Sequence, residues 1–234
     1  MFDGNLREQV DRGVQPVGQA LVSVGVTADM MTLLGIAMSA AAAVVIGSGN
    51  LGWGLVLMIA TGLPDLLDGA IAKAAGTSST RGAYFDSVSD RLSDILLFSG
   101  VAWYLSEFRE GQIHMLPVAV MGLAIMTSYQ RAKAESLGFD AKGGLMERAE
   151  RFIALGIGLF LGTFDDRLLI TVLWIMFALT AITALQRFFK VWKQASVDRP
   201  TPPKPSSFER RRARAAGRSQ REPMSNRWRP RDRR

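Results

Sequence analysis

The stretch from Asp65 to Asp90 has the sequence D-L-L-D-G-A-I-A-K-A-A-G-T-S-S-T-R-G-A-Y-F-D-S-V-S-D. It contains four aspartates, separated by three, eighteen and four positions: Asp65, Asp68, Asp86 and Asp90. Apolar sequence flanks the stretch on both sides, over residues 51–64 and 95–105. Spacings of three and four place each pair of carboxylates on one face of a helix. The stretch therefore predicts two helices that together offer four carboxylates to a cation.

The composition restricts which cation this would be. The sequence has no cysteine and a single histidine, His114, which excludes thiolate and multi-histidine metal sites. Four carboxylates facing lipid would be too costly, so we expect them to face inward, where a divalent cation would offset their mutual repulsion. Oxygen ligands alone favour Mg²⁺, with Mn²⁺ and Ca²⁺ as alternatives.

Apolar segments of membrane-spanning length make up most of the chain. Hydrophobic residues are 48% of the 234 positions, and the mean hydropathy is positive. A span needs roughly 20 apolar residues. We predict an all-α integral membrane bundle of six transmembrane helices over residues 28–195, with spans near 30–47, 51–74, 82–105, 113–129, 152–164 and 168–185.

The N-terminal segment, residues 1–27, differs from these spans. Residues 1–15 have no continuous apolar core and do not resemble a signal peptide. Apolar residues recur there at helical spacing, at Phe2, Leu6, Val10, Val14 and Val17. This pattern predicts a helix lying in the membrane interface, the alternative being a soluble helix packed on the body.

Basic charge is concentrated at the C-terminal end. Of 28 Lys/Arg and 21 Asp/Glu, residues 196–234 hold 13 and 4, which leaves 15 and 17 in residues 1–195. The composition of residues 196–234 predicts a disordered basic tail. Beside an apolar body, the tail favours anionic lipid over nucleic acid as a partner, the alternative being a topology signal without a ligand.

Lysine and arginine also lie in alternate connections between the predicted spans. The two sides differ strongly, since one has Arg109 and Arg167 and the other has the remaining basic connections and both chain ends. This bias predicts a multi-pass protein of the cytoplasmic membrane with both termini in the cytoplasm. It also places the aspartates and the basic residues of the fourth connection on the same side.

The pattern Asp65-x2-Asp68-Gly69-x2-Ala72-Lys73-x8-Gly82-x3-Asp86-x3-Asp90 resembles the signature of the CDP-alcohol phosphotransferase family. All of the spacings match, and the six predicted spans also agree with the family. The one departure is Lys73, where the family usually has arginine. Lysine keeps the positive charge but lacks the planar fork that binds phosphate through two nitrogens.

The resemblance implies a membrane enzyme, active as a homodimer, that binds CDP-diacylglycerol and displaces CMP with an alcohol. Residues 28–195 would form its catalytic domain. Two Mg²⁺ ions, or Mn²⁺, would hold the diphosphate through Asp65, Asp68, Asp86 and Asp90. Asp90 would also be the general base for the acceptor hydroxyl. The nucleotide pocket would be lined by Asp29, Thr32, Gly69 and Lys73.

Asp94 lies outside the motif. We expect it to form an ion pair with Arg91, three positions earlier on the same helix, which explains a charged residue at this position.

Basic residues on the active-site side favour an acceptor alcohol that already carries a phosphate. They are Arg131, Lys133, Arg148, Arg151 and Arg187. Residues 128–151 resemble the bacterial phosphatidylinositol-phosphate synthases, which use inositol 1-phosphate. Phosphatidylglycerophosphate synthase, which uses glycerol 3-phosphate, is the alternative within the family. A membrane cation transporter is the alternative from another class, because intramembrane carboxylates also mark ion pathways.

Overall fold

The computed structural model describes residues 16–74 and 79–196, apart from the side chains of Leu66, Ala70 and residues 72–74. Within these ranges every regular element is a helix, which confirms the predicted all-α fold. A helical stretch over residues 16–23 precedes six longer helices. These are α1 (Ala28–Gly47), α2 (Leu51–Ala74), α3 (Thr80–Phe108), α4 (Met115–Ser136), α5 (Arg148–Gly162) and α6 (Asp166–Ser196). Residues 1–15 of the predicted interfacial segment and residues 197–234 of the predicted tail lie outside the described residues.

Three of the described helices are long and apolar enough to cross a membrane. They are α1, residues Leu51–Gly69 of α2, and α6. By contrast, α5 has only 15 residues, about 22 Å of helix at 1.5 Å per residue. The first half of α3 carries the charged residues Asp86, Asp90, Arg91 and Asp94. The fold is therefore all-helical with three candidate spans, and the six-span bundle stays a prediction.

Local sequence signals explain where the helices near the aspartates begin. Thr27 caps α1 by accepting a hydrogen bond from the Met30 backbone N–H at 3.3 Å. Ser79 caps α3 in the same way, accepting from the Gly82 N–H at 3.1 Å. Such side chains satisfy backbone donors that have no partner within the helix. Because α3 begins at Thr80, Asp86 and Asp90 fall in its second and third turns.

The helices pack with α1 against both α2 and α3, α4 against α3, and α5 against α2. One apolar core joins them, and its fully buried members include Ile46, Met58, Val101, Leu105, Val120, Leu159, Leu169 and Leu173. At the end of α3 far from the aspartates, Arg109 Nε lies 3.0 Å from Asp166 Oδ2 of α6. The aspartate stretch thus lies where α1, α2 and α3 meet.

Gly100 of α3 lies directly against α1. A Cβ at this position would come within 2.6 Å of the Ala43 backbone, which cannot move without displacing its helix. We expect Gly100→Ala to lower the free energy of unfolding by about 1–3 kcal/mol, because overpacking forces the two helices apart. Thermal unfolding in detergent measures this effect.

Gly122→Ala in α4 is the matched control. A Cβ at Gly122 meets nothing within 4 Å, and alanine favours helix over glycine. We therefore expect this variant to be as stable as the wild-type protein or more stable. Equal melting temperatures for the two variants would contradict the close approach of α1 and α3.

Candidate functional site

Three of the four predicted aspartates form a cluster. Asp65 and Asp68 of α2 and Asp86 of α3 each offer one carboxylate oxygen, and these three oxygens lie within 4.8 Å of one another. Thr32 of α1 donates a hydrogen bond to Asp68 Oδ2 at 3.1 Å. Like charges at this distance repel one another unless a cation lies between them. A donor set of carboxylate oxygens alone suits a hard divalent cation, so the residues present fit the metal that the sequence predicts.

Asp90 lies in the same cleft but is not a member of this cluster. The cleft is lined by Asp65, Asp68, Asp86 and Asp90, together with Arg148. Both oxygens of Asp90 contact guanidinium groups: Oδ1 lies 2.8 Å from Arg148 Nη2, and Oδ2 lies 3.3 Å from Arg91 Nη1. In this arrangement two guanidinium groups hold Asp90 beside the cluster of three carboxylates.

Arg148 joins the carboxylates of both helices. Besides Asp90, it lies 3.4 Å from Asp65 Oδ2 and 4.0 Å from Asp94 Oδ1. As the first residue of α5, Arg148 is next to the positive end of the helix dipole, which by itself disfavours a cation. The surrounding carboxylates compensate for this cost. Arg148, which the sequence predicted to bind the acceptor phosphate, therefore lies at the centre of the aspartate site.

The predicted pair between Asp94 and Arg91 is wrong. Arg91 contacts Asp90 and donates to the Ser87 carbonyl at 3.1 Å. Asp94 instead accepts a hydrogen bond at 3.4 Å from Arg151 Nη2, whose side chain is 5% exposed. Buried charges are stable only when they are paired, so α5 supplies the partner that Asp94, in the middle of α3, needs. The prediction missed it because Arg151 is 57 residues away in sequence.

Three of the four predicted nucleotide residues, Asp29, Thr32 and Gly69, line a second, larger cavity. It measures about 530 Å³ and is lined by Asp29, Thr32, Asp68, Gly69 and Asp86, among others. A Cβ at Gly69 would meet nothing within 4 Å. Protein packing therefore does not require glycine here, and its small size leaves the space free for a ligand. The side chain of Lys73 lies outside the described residues.

Arg81 is a residue of this cavity that the sequence analysis did not single out. Its Nη2 lies 2.7 Å from Asp29 Oδ2, so the pair connects the start of α3 with the start of α1. The only local signal for it was its place next to Gly82 of the motif. Because the Arg81 side chain is 84% exposed, this ion pair adds little to stability and is free to exchange partners.

Three further predicted acceptor residues, Arg131, Lys133 and Arg187, line neither of these cavities. Arg131 pairs with Glu135 on the exposed surface of α4 at 3.0 Å, and Lys133 is exposed on the same helix. Arg187 of α6 is 5% exposed and donates to the Thr127 carbonyl at 2.9 Å and to Glu147 Oε1 at 2.8 Å. The structure thus brings Arg148 into the aspartate cleft and pairs Arg151 with Asp94, and of the five predicted acceptor residues only Arg148 lines either cavity.

Known proteins resemble this chain in both sequence and fold. The phosphatidylinositol phosphate synthase of Mycobacteroides abscessus is 33% identical over 190 residues, which cover 79% of this chain and 86% of that protein. The crystal structure of Mycobacterium tuberculosis phosphatidylinositol phosphate synthase with CDP-DAG bound is 31% identical, with a TM-score of 0.75, and the match covers 80% of this chain and 98% of that one.

A second crystal structure of the Mycobacterium tuberculosis enzyme, in complex with manganese and citrate, gives a TM-score of 0.76 at 30% identity, covering 84% of this chain and 97% of that one. The family model described as CDP-alcohol phosphatidyltransferase matches residues 25–193, which include the whole aspartate site. The match extends over well more than half of the sequence. The chain therefore belongs to the CDP-alcohol phosphatidyltransferase family.

Proposed function

We propose that this protein transfers the phosphatidyl group of CDP-diacylglycerol to inositol 1-phosphate, giving phosphatidylinositol phosphate and CMP. The observation that carries the proposal is the junction of two cavities that share Thr32, Asp68 and Asp86. One is a cleft with a carboxylate cluster, and the other has the volume of a nucleotide site. This is the arrangement that a CDP-linked substrate needs, with its diphosphate at the cluster and its nucleoside in the larger cavity.

Asp65, Asp68 and Asp86 would hold the divalent cation, which we propose is Mg²⁺ or Mn²⁺ and present as two ions, and Asp90 would also face these ions. When bound, these ions would neutralise the diphosphate and stabilise the leaving oxygen of CMP. Asp29, Thr32, Gly69 and Lys73 would line the nucleotide site. The crystal structure of a relative with manganese supports the choice of a divalent cation.

The reaction itself would be a single displacement at phosphorus. The acceptor hydroxyl oxygen bonds to the phosphatidyl phosphorus, and the bond from that phosphorus to the bridging oxygen of CMP breaks. CMP leaves with the electron pair, and Asp90 takes the proton of the hydroxyl. Arg148 and Arg91 contact Asp90, so they orient its carboxylate within the cleft.

The acceptor phosphate would be bound by the basic residues predicted from sequence: Arg131, Lys133, Arg148, Arg151 and Arg187. Of these five residues, Arg148 has the best structural support, because it lines the cleft that holds Asp90. Inositol 1-phosphate is favoured over glycerol 3-phosphate because relatives that are 33% and 31% identical in sequence are phosphatidylinositol phosphate synthases. We further propose a homodimer in the cytoplasmic membrane, with six spans over residues 28–195, a 1–27 interfacial segment, a 196–234 tail and both termini in the cytoplasm.

CMP release by the purified protein tests the function. With CDP-diacylglycerol and Mg²⁺ or Mn²⁺, we expect CMP to form with inositol 1-phosphate, and to form far more slowly with free inositol, because the basic residues need a phosphate to bind. Glycerol 3-phosphate is run in parallel. Faster release with glycerol 3-phosphate would identify the alternative acceptor, and no release with any alcohol phosphate would contradict the enzyme assignment in favour of a cation transporter.

A further inference from the structure

One face of α6 forms hydrogen bonds with the connection between α4 and α5. We call this face the anchor strip, and it consists of Thr183, Arg187, Lys190 and Gln194. Their spacings of four, three and four place all four side chains on one side of the helix. The connection, residues 137–147, ends at the first turn of α5, where Arg148 contacts Asp90 and Arg151 contacts Asp94.

The buried half of the anchor strip binds the second half of the connection. The Met146 backbone N–H donates to Thr183 Oγ1 at 3.0 Å, and both residues are buried. Arg187 Nε donates to the Gly143 carbonyl at 3.0 Å. At Gly144, with φ of +147°, a Cβ would overlap the Thr183 side chain. Glycine at this position therefore lets the connection press closely against α6.

The exposed half of the anchor strip binds Asp140. Lys190 Nζ lies 2.9 Å from Asp140 Oδ2 and donates to the Lys142 carbonyl at the same distance. Gln194 uses both ends of its amide, accepting from the Asp140 N–H at 3.0 Å and donating to the Asp140 carbonyl at 2.7 Å. The hydrogen bond from Lys190 lowers the pKa of Asp140 below its ordinary value. The Asp140 carboxylate is therefore charged, and this contact is complete, at neutral pH.

We infer that the anchor strip positions the connection so that Arg148 and Arg151 reach the aspartates, and that Thr183, Lys190 and Gln194 are positioning residues for the acceptor alcohol. The inference rests on the proposed function for the identity of that acceptor. Thr183 and Gln194 already use their polar atoms on the connection, so neither is a substrate contact. Their effect is transmitted through the backbone at Met146 and Glu147, which immediately precedes Arg148.

Thr183→Val tests the buried half of the strip. Valine keeps the shape of threonine but removes the oxygen that accepts from the Met146 N–H, leaving a buried donor unpaired. We expect the KM for inositol 1-phosphate to rise by about five- to tenfold, while the KM for CDP-diacylglycerol changes less than about twofold, since a lost hydrogen bond acts locally. Hydrogen exchange of residues 138–146 should become faster. Thr183→Ser keeps the hydroxyl, so its KM for inositol 1-phosphate and its exchange rate should equal the wild-type values.

Thr180→Val is the matched control on the same helix. Thr180 is also fully buried, but among the residues that the structure describes its Oγ1 has no hydrogen-bond partner. Removing that hydroxyl should therefore leave the acceptor KM and the hydrogen exchange of the connection unchanged.

A second pair of variants tests the exposed half of the anchor strip. Lys190→Met should raise the KM for the acceptor, as Thr183→Val does. Lys193→Met should not, because in the described part of the chain Lys193 makes no hydrogen bond to the connection.

Two results would overturn the inference. Unchanged exchange of residues 138–146 in Thr183→Val would show that the strip does not hold the connection. Faster exchange with an unchanged acceptor KM would show that the anchor strip stabilises the connection but does not position the acceptor. If the wild-type protein uses glycerol 3-phosphate instead, the proposed acceptor fails and the same comparison of KM is made with that acceptor. If neither acceptor reacts, the exchange of the connection alone decides.

Discussion

Asp90→Asn is expected to lower the rate of CMP release by about 10²–10⁴-fold, the range that general-base catalysis usually contributes. Asparagine has the shape of aspartate but cannot take the proton of the acceptor hydroxyl. Its amide oxygen can still accept a hydrogen bond from Arg148, which lies 2.8 Å from Asp90 Oδ1 in the structure. The variant should therefore fold and retain the helix contacts of the site.

Binding of CDP-diacylglycerol separates a catalytic defect from a folding defect. Because Asp90 is not a member of the carboxylate cluster, we expect the variant to bind the liponucleotide with an affinity within about threefold of the wild-type value, as for a substitution outside the binding contacts. Asp165→Asn, an exposed aspartate near the opposite end of the bundle, is the control and should turn over normally. Normal turnover by Asp90→Asn would exclude Asp90 as the base.

The aspartate cluster could be predicted from sequence because its geometry is local. Spacings of three and four fix which side chains share a helix face, and the start of α3 is set by a capping serine at Ser79. The pairing of the two helices then needed only one assumption, that carboxylates flanked by apolar sequence turn inward. That assumption brought Asp65, Asp68 and Asp86 together correctly.

The basic residues could not be placed in the same way. Arg148 and Asp65 are 83 positions apart, and no local rule connects the start of α5 with the end of α2. The count of Lys and Arg in the connections predicted only the side of the membrane on which the basic residues lie. It did not predict which carboxylate each arginine contacts. For the same reason Asp94 was matched with Arg91 nearby, although the structure pairs it with Arg151. Long flexible arginine side chains reach several carboxylates, and tertiary packing selects among them.

The number of spans shows the other limit. Hydropathy identifies α1 and α6 readily, because their faces are apolar over about five turns. In α3 the polar residues of the site lie within the helix itself, and α3 is not among the three candidate spans. The span predicted over residues 82–105 therefore stays a prediction, whereas α2, which carries Asp65 and Asp68, is still a candidate span by hydropathy.

Asp68→Asn is expected to weaken Mn²⁺ binding by about 100-fold or more, since even the outer partners of metal ligands contribute 10–100-fold. Asp68 offers an oxygen to the cluster of three carboxylates, and Thr32 already donates to its Oδ2. An asparagine oxygen could accept that hydrogen bond, so the loss would report the missing negative charge. Titration of the protein with Mn²⁺, followed by electron paramagnetic resonance, measures the affinity without any turnover.

The stability of the same variant distinguishes a metal site from a simple structural cluster. Without metal, removing one of three like charges relieves repulsion, so Asp68→Asn should unfold at the wild-type temperature or above it. With Mn²⁺, the wild-type protein should gain stability by binding linkage, and the variant should lose this gain. Glu107→Gln, an exposed carboxylate far along α3, should behave as wild type in both conditions. A Mn²⁺-dependent rise in melting temperature that survives in Asp68→Asn would contradict a metal site at Asp65, Asp68 and Asp86, because a cation held there depends on the charge of all three.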